Sequence, residues 1–225
     1  MRIKFSIMNR RIILAIIAAT AAIGVDAQNT WEAPNSNKQT EAVVTEEKTE
    51  KKSNGKTEDA QYLRGRVPEK DGKVVFTFNE KAEGSDAEAL YAKTYEWIEK
   101  MTEGENQINS RIALVNKGEH KIVATFSEWL DFSRTFISVD RTRLDYVMTA
   151  ECKDGEVNIE ISRIRFHYDE DRPTRMNVTA EEWISDSKAL NKNGTKIVRG
   201  RKKFRKHTID RMNEIGNSLK IAIGL

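Results

Sequence analysis

The chain has 225 residues, with 38 Lys and Arg against 35 Asp and Glu, 38% hydrophobic residues and one cysteine. Cys152 has no partner in the sequence, which excludes an internal disulfide, so a core must hold by burial. Four basic side chains and one acidic one (Asp26) fall in residues 1–27, leaving 34 of each sign beyond it. That balance provides no general attraction to nucleic acid or anionic membranes.

In chain order, Arg2, Lys4, Arg10 and Arg11 form a basic start, Ile12 to Val25 an apolar run, and Val25-Asp26-Ala27 a small-residue processing site. This order predicts a secretory signal peptide over residues 1–27, cleaved before Gln28. The apolar run is shorter than the ~20 residues a spanning helix needs, and no Cys follows it that could carry a lipid anchor. The expected location is therefore exported, periplasmic or secreted, with no transmembrane segment after cleavage. Residues 28–61 are polar, rich in Glu, Lys, Thr, Asn and Ser, and predict a disordered spacer. Residues 62–225 suit one folded domain.

Within that domain, Arg64–Val67 and Lys73–Asn79 read as strands around a turn containing Asp71-Gly72. Ser85, with Glu88 three residues on, predicts a capping box and a helix to about Thr102. On a helical wheel Ala87, Leu90, Tyr91, Thr94, Trp97, Ile98 and Met101 fill one arc, with Glu88, Glu96, Glu99 and Lys100 opposite. Strands follow at Asn109–Val115 and His120–Ser127, then at Thr135–Glu151 and Glu156–Tyr168, each pair joined by a Gly-containing turn. Val157, Ile159 and Ile161 alternate in one phase and Ile164, Phe166 and Tyr168 in the other. A β-bulge at Ser162-Arg163 would keep both sets on the core face. Thr179 with Glu182 predicts a second capped helix reaching Leu190. The stripe Phe204, Thr208, Met212, Ile215, Leu219, Ala222 predicts a final helix over Lys202–Ala222. The implied fold is α+β, a single antiparallel sheet of five or six strands with helices packed on one face. Phe76, Leu90, Ile98, Tyr146, Ile159, Phe166, Ile215 and Leu219 are the expected core.

Gly72-Lys73-Val74-Val75-Phe76 runs into the helix carrying Leu90-Tyr91 and Trp97-Ile98. Later come Glu182-Trp183-Ile184-Ser185-Asp186, Ala189-Leu190-Asn191-Lys192 and the terminal helix. From about Gly72 to Leu225 this pattern resembles the exported bacterial domains of unknown function with a TATA-binding-protein-like (TBP-like) fold. The resemblance implies a fold and an exported habit. It carries no activity and no site residues, because shape does not give function.

The strongest candidate site is a basic run without an acidic residue between Ser187 and Ile209. Beyond Lys188 and Lys192 it comprises Lys196, Arg199, Arg201, Lys202, Lys203, Arg205 and Lys206. It could take an anionic partner, or it could be a solvated surface. Residues in open-face phase mix signs: Lys121, Arg143, Arg165 and His167 with Asp145, Glu151 and Glu160. A nucleic-acid saddle would be dominated by cations. Asp169-Glu170-Asp171 lacks calcium-loop spacing, and His120, His167 and His207 lack zinc spacing. No Ser sits in a nucleophile elbow, and no phosphate loop is present. Neither cofactor nor metal is indicated. The expectation is a non-catalytic envelope module that binds a protein or an anionic envelope molecule. Two alternatives stand beside it. One is a periplasmic hydrolase, which a pocket gathering two or more titratable groups of shifted pKa would favour. The other is a binder of a small apolar ligand in a groove lined by Tyr95 and Trp183. The oligomeric state is not encoded in any pattern of this kind.

Overall fold

The computed structural model describes residues 60–225, so the leader (1–27) and almost all of the spacer (28–61) lie outside the described residues. From Tyr62, which is buried, the chain is committed to the domain. The expected strand at Arg64–Val67 is instead a series of turns. Gly65 takes φ +79° and its N–H donates to Asp186 (2.7 Å), while Arg205 takes the carbonyls of Tyr62 and Leu63. Side chains thus claim the polar groups that a ladder would have used.

The hairpin itself is short. β1 (Glu69–Lys70) pairs with β2 (Lys73–Val74) around Asp71 and Gly72. Both turn residues have positive φ (52° and 73°), the conformation a two-residue hairpin turn demands. β3 (Phe76–Lys81) then leaves this hairpin to pair with a later strand.

α1 (Ala87–Thr102) starts one residue later than the sequence implies. Asp86, not Ser85, is the N-cap, accepting from the Ala89 N–H at 2.7 Å. The Ala87 N–H goes to Asp154, far along the chain in the turn Lys153-Asp154-Gly155 (2.9 Å). Both acceptors satisfy donors that a helix start leaves open. Leu90, Tyr91, Thr94, Trp97 and Ile98 are buried, as the wheel predicts.

The sheet comprises β3, β4 (Arg111–Asn116), β5 (Lys121–Arg134), β6 (Val139–Lys153), β7 (Glu156–Tyr168) and β8 (Met176–Thr179). Its order is β3-β7-β6-β5-β4, with β8 also on β7, and every pairing is antiparallel. β5 runs well beyond the expected Ser127, and β8 is a strand the sequence did not reveal. The bulge in β7 is present. Asp145 pairs with Arg165 and Val147 with Ser162, leaving Arg163 and Ile164 opposite Tyr146, with Arg163 at φ 55°. Ile161, Ile164 and Phe166 are consequently all buried on one face.

The Thr179–Glu182 capping box forms, but its helix breaks. α2 (Ala180–Trp183) and α3 (Asp186–Ala189) are single turns. Arg205 takes the Ile184 carbonyl at the break, removing an acceptor that a continuous helix would use. A 3-10 turn (Arg199–Arg201) leads into α4 (Lys202–Ile223), which ends at Gly224 with φ 93°.

α1 and α4 lie side by side on one sheet face, joined by a hydrogen bond from Trp97 Nε1 to Ser218 Oγ (3.1 Å). All eight expected core residues are buried there. The opposite face of the sheet carries no helix among the described residues.

Candidate functional site

The basic run curves around a cleft of about 620 Å³. Its walls are Gln61 and Tyr62 on one side and Arg199, Gly200, Lys202, Lys203, Lys206, His207 and Asp210 on the other. The 3-10 turn supplies Arg199 and Gly200, and successive turns of α4 supply Lys202, Lys203, Lys206, His207 and Asp210, because residues three and four apart share a helix face. Among the described residues the lining thus gathers four cationic side chains and one carboxylate, Asp210, which accepts from the Tyr62 hydroxyl at 3.2 Å. Lys206 Nζ lies 4.4 Å above the Tyr62 ring. Arg201, at the N-cap of α4, makes no side-chain cap, so the positive end of the helix dipole adds to the same field.

The members of the run do not share one role. Lys203 is held in place: its ammonium donates to Asp140 (2.9 and 3.0 Å) and to the Tyr168 hydroxyl (2.9 Å). Burial alone would lower its pKa, but these hydrogen bonds and the Asp140 charge outweigh that and raise it. Arg201 stacks over Trp183 at 4.7 Å and donates to the Lys188 carbonyl, away from the cleft lining. Lys196 is exposed in the preceding loop and does not line the cleft.

Arg205 requires a correction. It is 0% exposed, and its guanidinium is spent on the carbonyls of Tyr62, Leu63 and Ile184 and on Asp186 (2.6 Å). It ties the entry segment and the α2–α3 break to α4, and it cannot reach a partner.

His207 completes the cleft wall, its ring edge-on to Phe132 of β5 at 5.4 Å. Burial pushes its pKa below the ordinary value, with Lys206 acting the same way against the pull of Asp210 and Asp140. Lys203 and His207 thus give this cleft two titratable groups of shifted pKa, the feature that would favour a hydrolase. Among the described residues its lining holds no serine, threonine or cysteine, and Asp210 is engaged by the Tyr62 phenol.

A second polar constellation is buried beneath α4, and the sequence reading missed it. Glu128, 0% exposed, faces the helices at the centre of β5. Arg211 of α4 donates to both its oxygens (2.8 Å each). Gln107 (2.6 Å), Asn106 (3.4 Å) and the Tyr146 hydroxyl (3.3 Å) complete the shell. Burial and the Glu128 charge push the Tyr146 phenol well up, while Glu128 raises the Arg211 guanidinium against the cost of burial. A carboxylate with five donors has no capacity left for chemistry. The available signal was an acid in the inward phase of Ile122, Ala124, Phe126 and Leu130.

On the open face the charges answer one another. Lys121 pairs with Glu151 (2.7 Å), Arg143 with Asp145 (3.4 Å) and Glu170 (3.2 Å), and Ser127 donates to Asp145 (2.7 Å). Arg141 stacks over Trp129 at 3.8 Å. The groove expected between Tyr95 and Trp183 does not exist as one site. Tyr95 lines a hollow of about 480 Å³ with Tyr91, Val115, Lys117 and His120, whereas Trp183 packs on Phe204. Among the described residues no group of three or more His, Cys, Asp or Glu could hold a metal ion. No described helix is long and apolar enough to cross a membrane.

A six-stranded antiparallel sheet with its helices on one face defines a two-layer α+β domain of the TBP-like class. A family profile described as a domain of unknown function (DUF4468) with TBP-like fold matches residues 76–167. The crystal structure of a DUF4468 family protein from Bacteroides ovatus ATCC 8483 is 38% identical, with a TM-score of 0.69 over 74% of this chain and 95% of that one. The chain belongs to the DUF4468 family. A TBP-like protein from Parabacteroides distasonis ATCC 8503 shares the fold at 21% identity and a TM-score of 0.56, over 70% of this chain and 97% of that one. No curated protein sequence matches the chain.

Proposed function

We propose that this protein is an exported, non-catalytic module that holds an anionic envelope partner in the cleft at the start of α4. The observation that carries this reading is the lining itself, Arg199, Lys202, Lys203 and Lys206 gathered on one wall, with Asp210 the one carboxylate among the described lining residues. The overall charge balance does not oppose it, because a concave site concentrates local charge whatever the net value. Export rests on the basic start, apolar run and processing site of residues 1–27; mass spectrometry of the mature protein should find its N-terminus at Gln28.

The cleft is tested by calorimetric titration with inorganic tripolyphosphate, comparing wild type with Arg199→Ser/Lys202→Ser/Lys206→Ser. These three positions leave the Lys203–Asp140 pair and the Arg205 anchor intact. Wild type should bind with an affinity that falls as salt rises, and the variant should lose about tenfold or more. Equal binding by both proteins, or none by wild type at low salt, would end this assignment.

A second reading, a small apolar ligand against Tyr91 and Tyr95, is favoured by one observation. The Tyr91 hydroxyl is buried without a hydrogen-bond partner at the edge of that hollow. A ligand accepting from it should be displaced by Tyr91→Phe, which leaves the tripolyphosphate titration unchanged.

A further inference from the structure

The β5–β6 hairpin ends in a turn that neither turn chemistry nor the core explains. The Thr135 N–H donates to the Ser138 carbonyl (2.8 Å), and the Ser138 N–H donates back to Thr135 Oγ1 (3.1 Å). Between them Phe136 and Ile137 occupy the two corners, where Gly, Asn or Asp is ordinarily favoured. Phe136 is fully exposed and Ile137 is 92% exposed, and Val139 beside them is 41% exposed. The arms are paired out to Arg134 and Val139, so the backbone of the turn is anchored at both ends.

That place adjoins the cleft. Asp140, the residue after Val139, is the partner of Lys203 in the cleft wall. Phe132, the bulged residue of β5, packs on His207 and Phe204. At roughly 3.3 Å per residue, the turn stands about 10–13 Å beyond the Lys203–Asp140 pair. Among the described residues the acids near the turn are mostly engaged: Asp131 with Arg134, Asp140 with Lys203, Glu170 with Arg143, and Asp169 with Thr174. Asp171 stays exposed.

We propose that the Phe136–Ile137 turn and the cleft form one docking surface for an anionic lipid bilayer, the turn entering the acyl boundary and the cations receiving headgroup phosphates. This rests on the reading of the cleft as an anion site and names the partner. Charge complementarity and size both select a bilayer. Two apolar side chains on a narrow tip are far short of the ~800 Å² per partner that a stable protein interface buries. An apolar wedge beside several cations is what interfacial lipid binding requires.

The test uses the chain from Gln28, the form that cleavage leaves, in sedimentation with vesicles. One set is phosphatidylcholine alone, the other equal parts phosphatidylcholine and phosphatidylglycerol. Wild type should sediment with the mixed vesicles only. Phe136→Ser/Ile137→Ser should lose about tenfold or more of that binding while keeping its tripolyphosphate affinity. Lys202→Ser/Lys206→Ser should lose both. Phe136→Trp should show a blue-shifted emission on mixed vesicles. Retained vesicle binding by the turn variant overturns the wedge and leaves the cleft assignment standing. Binding to neither vesicle, with tripolyphosphate binding intact, overturns the bilayer and leaves the turn to a protein partner. Loss of tripolyphosphate binding by wild type removes the cleft itself.

Discussion

Glu128 and Arg211 show how one pair of residues can be indispensable without being functional. The carboxylate is wholly buried, and the guanidinium that answers it is mostly so. Removing the negative member leaves a cation in the interior with half its partners gone. Glu128→Gln should therefore cost about 3–5 kcal/mol in urea denaturation. Glu128→Met/Arg211→Met together should cost much less, since an apolar pair of similar volume replaces the ion pair. A single-variant loss below about 1 kcal/mol, the range of exposed pairs, would mean that water reaches the site. His207 makes a prediction in pH. Its folded pKa lies below its unfolded value because it is buried, with Lys206, Asp210, Asp140 and Lys203 as its charged surroundings. Between those two values the unfolded state binds more protons, so stability falls as pH drops below about 6.5 toward the lower folded value. Above that window the contribution is complete. His207→Phe should flatten this part of the stability–pH curve, and an unchanged slope would refute the assignment.

At the scale of elements, the register of secondary structure was legible wherever an apolar period ran long enough. The wheel of α1, the stripe of α4 and the phase switch in β7 each follow from side chains that must share a buried face. What was not legible depended on partners remote in sequence. Asp86 displaces Ser85 as cap because the first free amide is met by Asp154. The helix after Thr179 breaks because Arg205 draws off the Ile184 carbonyl. Arg205 itself lies one helical step from Phe204, on the flank of the buried stripe, and a list of basic residues does not distinguish it from Lys206. The basic run could be read, but its division into cleft wall, stacked cap and buried anchor could not. α4 also contains a position where propensity and packing conflict. A Cβ on Gly216 would meet the Phe78 ring at 2.7 Å. Helix propensity favours Ala over Gly by about 1 kcal/mol, whereas overpacking costs about 1–3 kcal/mol. Gly216→Ala should be destabilising, and adding Phe78→Leu should recover most of the loss. A Gly216→Ala protein more stable than wild type would show that the ring yields.

For the whole molecule, β4 to β8 of the sheet are assembled from neighbours, whereas β3 and the helix layer are joined from far along the chain. β5–β6 and β6–β7 are hairpins closed by short turns. α4, by contrast, is fastened through Trp97 to Ser218, Tyr62 to Asp210 and Arg205 to Tyr62, contacts 121, 148 and 143 residues apart. Closing such loops is entropically expensive, so they form after the local pairings that can bear the cost. The order of assembly follows. The hairpins pair first, presenting Ile122, Phe126, Met148 and Ile159 on a face still without its lid, and α4 docks near the end. Leu219→Ala should accordingly speed unfolding far more than it slows refolding in stopped-flow experiments, and the reverse would place α4 in the nucleus. During that interval the half-built protein is sticky. Its vulnerability in the cell is therefore one of timing: a chaperone or a crowded neighbour meets the bare sheet before the helix does.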